Sequence, residues 1–115
     1  MPFVLVDTPQ GQTAINPDEV FCIVPEPQTP AADCEIQFDV RQVVALHTAD
    51  QAAGMLGGNL RRLEAASLDF DHVWVNPRRV TNVTPHPQVG GVCFVVGGAR
   101  KIAVKGELQT VIAAM

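Results

Sequence analysis

The first half of the chain alternates between short apolar runs and turn residues. Residues 20–24 form a continuous run of mostly branched apolar residues, which predicts a strand buried on both faces. Residues 35–39 alternate between polar and apolar, and residues 41–46 are again mostly apolar, so the two segments predict a hairpin. A β-rich run at residues 3–7, followed by turn residues at 9–12, predicts a further hairpin strand.

In each half, the predicted strands are followed by apolar residues at helical spacing. Residues 48–50 provide a helix-capping start, after which apolar residues recur at helical spacing. The glycine pair 57–58 interrupts this spacing, because each glycine inside a helix costs about 1 kcal/mol relative to alanine. We therefore expect a helix to about Met55, a break at the glycines and a second helical piece over residues 59–66. The last helix should cover residues 108–115.

The second half repeats the layout of the first. Residues 75–88, VNPRRVTNVTPHPQ, align without a gap on residues 15–28, INPDEVFCIVPEPQ, and share the Asn-Pro pair and the later Pro, Pro and Gln. After a slip of one residue, apolar segments at 92–96 and 100–105 match the strands predicted in the first half. We interpret this similarity as tandem duplication of a unit of about 60 residues, which is longer than the usual solenoid repeats.

These patterns predict an α+β fold that is rich in β-structure. It would consist of two tandem-repeated small antiparallel-sheet lobes, each followed by a short helix, with the first lobe at residues 1–60 and the second at residues 61–115. Lobes of fewer than about 60 residues are marginal alone, so the two should pack into one compact domain.

Charge divides the chain at the same boundary. Residues 1–60 carry one base and eight acids (−7), and residues 61–115 carry seven bases and four acids (+3), which together give the net charge of −4. Such asymmetry can steer the acidic half of one molecule toward the basic half of another. Because 47% of the residues are hydrophobic and only 17% are charged, the chain can bury a core.

Cysteine usage and hydropathy indicate the compartment. Cys22, Cys34 and Cys93 lack CxxC spacing, so they fit reduced core thiols better than a disulfide framework. No apolar run approaches the roughly 20 residues that cross a bilayer, and the N-terminus lacks a signal-like segment. We expect a cytoplasmic protein without a membrane partner.

A resemblance to a known family lies mainly in the second half. The run VNPRRVTNVTP, the apolar strand ending at Gly97-Gly98, the segment RKIAVK and the terminal LQTVI resemble the small FlbD/SwrD family associated with bacterial flagella and swarming. Residues 3–56 resemble it more loosely. The resemblance implies an order of strand, turn, strand, Gly-Lys-Lys-like turn, Val-Lys strand and terminal helix in each copy.

Catalytic and metal-binding candidates are few. His47, His72 and His86 show no ligand spacing such as HxxxH, either among themselves or with the cysteines. Cys93 lies in an apolar run that would disfavour its thiolate, and nothing marks Ser67, the only serine, as a nucleophile. We therefore expect no enzymatic activity, no metal and no cofactor.

Two pairs of basic residues are the candidate site. Arg78 with Arg79, and Arg100 with Lys101, lie near strand ends that could converge on one edge, where they would act as anion contacts. A solvated face or a salt-bridged subunit interface is the competing explanation. Trp74 lies between two valines in an alternating strand, which is typical of a core or interface aromatic residue.

Three functions follow from these observations. The main hypothesis is a non-enzymatic binding or assembly protein, such as a phage or bacterial accessory protein, that self-associates into a homo-oligomer. The first alternative is a sequestering or sensing protein for an anionic small molecule such as a nucleotide. The second is a nucleic-acid-binding module, against which the acidic net charge and the scarcity of aromatic residues argue.

Overall fold

The computed structural model describes residues 3–29 and 31–115, so residues 1 and 2, which belong to the segment considered for a signal, lie outside the described residues. Each half of the chain contributes five strands and one α-helix, in the same order. The elements are β1 (Val4–Thr8), β2 (Gly11–Ile15), a 3₁₀ turn (Pro17–Glu19), β3 (Cys22–Pro25), β4 (Cys34–Gln37), β5 (Gln42–Ala45), α1 (Ala49–Leu56), β6 (Arg61–Glu64), β7 (His72–Val75), a 3₁₀ turn (Pro77–Arg79), β8 (Asn82–Pro85), β9 (Val92–Gly97), β10 (Arg100–Lys105) and α2 (Leu108–Ala114).

The strands form three antiparallel sheets, which confirms the β-rich α+β fold. One sheet is the hairpin β1-β2, the second has the order β5-β4-β3-β7-β6, and the third has the order β10-β9-β8. The five-stranded sheet combines both halves, because β3 pairs with β7 and places Cys22 opposite Val75 and Ile23 opposite Trp74. The halves therefore share a sheet and do not form separate sheet lobes. This pairing also protects two strand edges that separate lobes would leave open.

Strand β3 lies at the centre of the molecule, between two hydrophobic cores. Successive side chains of a strand point to opposite faces. Ile23 accordingly packs into the core beneath α1, whereas Cys22 and Val24 pack into the core that contains Val95 of β9 and Val104 of β10. The prediction of a strand buried on both faces is confirmed.

The predicted helical piece at residues 59–66 is wrong, because this segment forms strand β6. Its apolar positions, Leu60 and Leu63, are three residues apart, which fits one face of a helix, but here they pack into different cores on opposite faces of the sheet. Pairing with β7, in which Leu63 lies opposite Val73, decides in favour of the strand. Propensity is a weak determinant when such a tertiary partner is available.

The helix predicted at residues 48–55 is confirmed as α1. Thr48 caps it: the Thr48 hydroxyl accepts a hydrogen bond from the backbone N–H of Gln51, and the Gln51 side chain accepts one from the backbone N–H of Thr48. Gly57 ends the helix with a φ of 110°. Within residues 3–29 and 31–115, no helix is long and apolar enough to cross a membrane.

Candidate functional site

A stretch of 35 residues, 72–106, has a charge composition unlike the rest of the chain. It contains five basic residues and no acidic residue, whereas all twelve acids and the other three bases lie outside it. Dividing the chain at residue 60 hides this stretch, because Glu64, Asp69, Asp71 and Glu107 flank it closely. A sliding charge count along the sequence would have found it. The five bases are Arg78, Arg79, Arg100, Lys101 and Lys105.

Arg79 uses its guanidinium to bind the first half of the chain. Its Nη2 lies 2.7 Å from Glu19 Oε2, and its Nε donates a hydrogen bond of 2.7 Å to the backbone carbonyl of Asp18. The two 3₁₀ turns are therefore joined side by side. This predicted anion contact is already occupied by an internal carboxylate.

Arg100 is also committed internally. Its Nε donates to the carbonyl oxygen of Phe38, and its Nη2 donates to the carbonyl oxygen of Arg41 at 2.9 Å and to Gln42 Oε1 at 3.2 Å. The two carbonyl groups belong to the turn between β4 and β5, and Gln42 is the first residue of β5. Arg100 thus fixes the β9-β10 hairpin to the β4-β5 hairpin and has few free donors for a ligand.

The opposed charges of the two halves are therefore partly paired inside one molecule. Besides the contact between Arg79 and Glu19, Asp39 of the first half accepts a hydrogen bond of 2.8 Å from the backbone N–H of Ala99. Pairing within one chain avoids the entropy loss of association. These contacts engage Glu19, Asp39 and Arg79, so part of the charge split is satisfied within one molecule.

Three bases of the stretch make neither an ion pair nor a side-chain hydrogen bond in the described part of the chain: Arg78, Lys101 and Lys105. All three are exposed. The ammonium group of Lys101 lies 4.5 Å from the centroid of the Phe94 ring, which is a cation-π distance. The four predicted anion contacts therefore fall into two groups. Arg79 and Arg100 bind groups of the first half, whereas Arg78 and Lys101 are exposed and make no such contact.

The outer face of the three-stranded sheet carries Lys101 and Lys105. Strand pairing aligns its residues in three rows across β8, β9 and β10, and the opposite face contributes Cys93, Val95 and Val104 to the core. The outer face contains no carboxylate, since no acid occurs in these three strands. Its rows are Asn82, Val96 and Lys101; Thr84, Phe94 and Ala103; and His86, Val92 and Lys105.

A cavity of about 330 Å³ lies where the two 3₁₀ turns meet the hairpin turn after β9. Arg78 and Arg79 line it, but so do the carboxylates Glu19 and Asp39. Two acids and two bases leave this cavity without a net charge, and Arg79 is already paired with Glu19 at 2.7 Å. An anionic ligand would gain little here.

Trp74 belongs to a polar cluster on the five-stranded sheet. It is half-buried against the core beneath α1, and its Nε1 donates a hydrogen bond of 2.8 Å to Asp50 Oδ1. His72 lies between two carboxylates: its Nδ1 is 2.8 Å from Asp71 Oδ1, and its Nε2 is 3.1 Å from Asp50 Oδ1, off the hydrogen-bond direction. The Trp74 hydrogen bond is the main cause that lowers the pKa of Asp50, with His72 and Arg62 contributing their charges.

We expect Asp50→Asn to lower stability at neutral pH by at most about 1 kcal/mol, since Asp50 is exposed and screened by water. Its folded-state pKa lies below the ordinary value, so the ionised form stabilises the fold above that value, and the contribution disappears as pH falls through the folded pKa. Urea denaturation at a series of pH values should show a difference from the natural chain at pH 7 that shrinks as the pH is lowered below 3.8. Asp69→Asn, at an acid without an ion pair, is the control, and an equal loss in both variants would contradict the prediction.

Comparison with known proteins gives one informative result. No protein-family model matches the chain, and no curated protein matches it in sequence. Among solved structures, the chain is similar to a LytTr DNA-binding domain from Bacillus cereus, with a TM-score of 0.66 and 8% sequence identity over 97% of this chain and 94% of that one. At this identity the similarity shows a shared fold.

Two predictions made from the sequence are wrong in the light of this comparison. The main hypothesis of a self-associating assembly protein is overturned, because the matching fold is that of a domain named for DNA binding. The expectation that nucleic acid is not a partner conflicts with the same finding. Net charge misled the second prediction, since it averages an acid-free stretch with an acidic remainder.

Proposed function

We propose that this chain is a non-enzymatic nucleic-acid-binding domain that contacts phosphates with the exposed bases of residues 72–106. The observation that carries the proposal is the charge of this stretch, five bases without an acid, in a fold shared with a DNA-binding domain. Three of these bases, Arg78, Lys101 and Lys105, have no acidic partner among the described residues. A cytoplasmic location belongs to the same proposal, because three free buried cysteines suit a reducing compartment.

The acidic net charge is compatible with this function. Affinity for nucleic acid comes from the local release of counterions where bases meet phosphates, so the charge of the contacting surface matters more than the sum over the chain. The acids outside the stretch repel phosphate and thereby favour encounters in which the basic surface faces the nucleic acid. The charge split would then orient a polyanion instead of steering copies of the chain toward one another.

We also propose that the chain arose by duplication. Elements β1 to α1 recur in the same order as β6 to α2. The two 3₁₀ turns start 60 residues apart and are capped alike: the Asn16 side chain accepts from the N–H of Asp18, and the Asn76 side chain accepts from the N–H of Arg78. The resemblance to the FlbD/SwrD family stays a prediction.

Charge reversal tests the binding function. Arg78→Glu should weaken binding of a fluorescein-labelled oligonucleotide by about tenfold or more at low salt and reduce the salt slope by about one, because one phosphate contact is lost. The measurement is fluorescence anisotropy of the full chain, titrated against separate single-stranded and duplex DNA at several salt concentrations.

Arg41→Glu is the matched control, since Arg41 is exposed, lies outside residues 72–106 and changes the net charge equally. It should alter affinity by less than about threefold. Equal weakening by the two variants would mean that only the overall charge matters and would contradict the assigned surface. Absence of binding to either DNA at low salt would overturn the proposed function.

A further inference from the structure

The outer face of the sheet β10-β9-β8 has a composition suited to one kind of nucleic acid. Its centre is apolar, because β9 presents Val92, Phe94 and Val96 there, and all three are half-buried. These side chains belong to neither hydrophobic core, although the opposite side chains of the same strand do. The face thus exposes apolar surface with basic residues on one flank and polar, uncharged residues on the other.

An aromatic platform stands in the middle of this face. The Phe94 and His86 rings lie with their centroids 4.9 Å apart and their planes tilted by 32°. The backbone holds His86 in place, because its Nδ1 accepts hydrogen bonds from the N–H groups of Gln88 at 3.0 Å and Val89 at 3.1 Å. Lys101 covers Phe94 from the neighbouring strand. Phe94 is therefore in contact with both the His86 ring and the Lys101 ammonium group.

We propose that this face binds single-stranded nucleic acid, with an unpaired base stacked on Phe94 and phosphates contacted by Lys101 and Lys105. The inference rests on the proposed function, since it specifies which nucleic acid the basic surface takes. The two lysines are four residues apart on one strand, about 14 Å at roughly 3.4 Å per residue. They can thus follow a backbone that runs along β10 while its bases turn toward β9.

A stacked base should replace the Lys101 ammonium group on the Phe94 ring, because stacking is the stronger of the two interactions. A cation-π contact at an exposed site is worth roughly a two- to fivefold factor, whereas stacking a base on an aromatic ring is worth roughly a five- to 150-fold factor. A base can therefore displace the ammonium group from the ring. The released Lys101 then gains a phosphate partner, so that the exchange retains an electrostatic contact for this lysine.

Duplex DNA does not suit this face. In a duplex the flat surfaces of the bases are covered by their neighbours in the stack, so Phe94 could not reach one without unstacking it. The major groove admits an α-helix or a two-stranded ribbon, and here three strands lie side by side. A broad face with a central ring instead matches the stacking surfaces that bind single strands with little sequence preference.

Phe94→Ala is the test, measured by anisotropy with a labelled single-stranded DNA of mixed sequence and with a hairpin duplex of the same strand. We expect the natural chain to bind the single strand more tightly and Phe94→Ala to weaken that binding about tenfold while changing duplex binding by less than about twofold. Phe94→Trp should restore single-strand affinity, because it retains an aromatic face. Leu68→Ala, at an exposed apolar residue outside the sheet, is the control and should have no effect.

The outcomes separate the two proposals. Equal or tighter duplex binding that is insensitive to Phe94→Ala would overturn this inference and leave the proposed function in place. Binding to neither nucleic acid would overturn both. If circular dichroism shows that Phe94→Ala is unfolded, the same binding measurements are made on Phe94→Leu. This variant keeps apolar volume at position 94 and loses only the aromatic ring. Retention of single-strand affinity in Phe94→Leu would overturn the stacking role. The role would also be overturned if the natural chain formed a dimer that bound no single strand and that Phe94→Leu dissociated.

Discussion

Replacing Asn76 by alanine is expected to lower the free energy of unfolding by about 2–4 kcal/mol, one of the two largest effects that we predict. Asn76 is buried, and its side chain makes two hydrogen bonds. Its Oδ1 accepts from the backbone N–H of Arg78 at 3.1 Å, and its Nδ2 donates to the carbonyl oxygen of Val20 at 2.9 Å. Alanine leaves both backbone groups without these partners, and the second bond also joins the two halves of the chain.

The repeated Asn-Pro turn supplies a matched control. Asn16 caps the first 3₁₀ turn in the same way, through a 3.1 Å hydrogen bond from the N–H of Asp18, but it is only half-buried and makes no bond to the other half. Asn16→Ala should therefore cost only about 0.5–1 kcal/mol. Urea denaturation of both variants gives the comparison. Equal losses would show that capping accounts for the whole effect and that the bond to Val20 contributes nothing.

This contrast illustrates what the sequence can predict. The alignment of residues 15–28 with residues 75–88 identifies two similar turns, because an Asn ahead of Pro caps a turn through contacts two residues away. It cannot show that only Asn76 is buried. That difference arises from the pairing of β3 with β7, a contact between residues more than fifty positions apart. Local chemistry is visible in the sequence, whereas the partner that buries it is not.

The candidate site shows the same limit. Arg78, Arg79, Arg100 and Lys101 are recognisable in the sequence as basic residues near strand ends, but their availability depends on the loops that approach them. Arg79 meets Glu19, and Arg100 meets the β4-β5 turn, each across about sixty residues of sequence. Nothing in the sequence singles out Phe94, because a Phe in an apolar strand is ordinarily a core residue. Only the strand register places it on the outer face with Lys101.

Gly97→Ala is expected to destabilise the fold by about 3 kcal/mol, at the upper end of the usual cost of overpacking. Gly97 ends β9 directly beside the second 3₁₀ turn. A Cβ there would collide with the carbonyl oxygen of Arg79 and would lie 2.6 Å from the ring atoms Cδ1 and Cε1 of Phe21. The Arg79 carbonyl belongs to the backbone and cannot rotate aside, and Phe21 is buried in the second core. Relief therefore requires the hairpin β9-β10 to move away from the turn.

The same change from glycine to alanine should raise stability where the added methyl group meets no neighbouring atom. Gly54 lies in α1, and the position that an added methyl group would take has no neighbouring atom within 4 Å, so Gly54→Ala should stabilise the helix by about 1 kcal/mol. Thermal and urea denaturation of the two variants should give shifts of opposite sign.

Unchanged stability in Gly97→Ala would mean that the turn and the hairpin can separate freely. In that case the contacts of Arg79 and Arg100 could not hold the two halves in a fixed arrangement, and the surface formed by residues 72–106 would lack the rigid support that the proposed binding function requires.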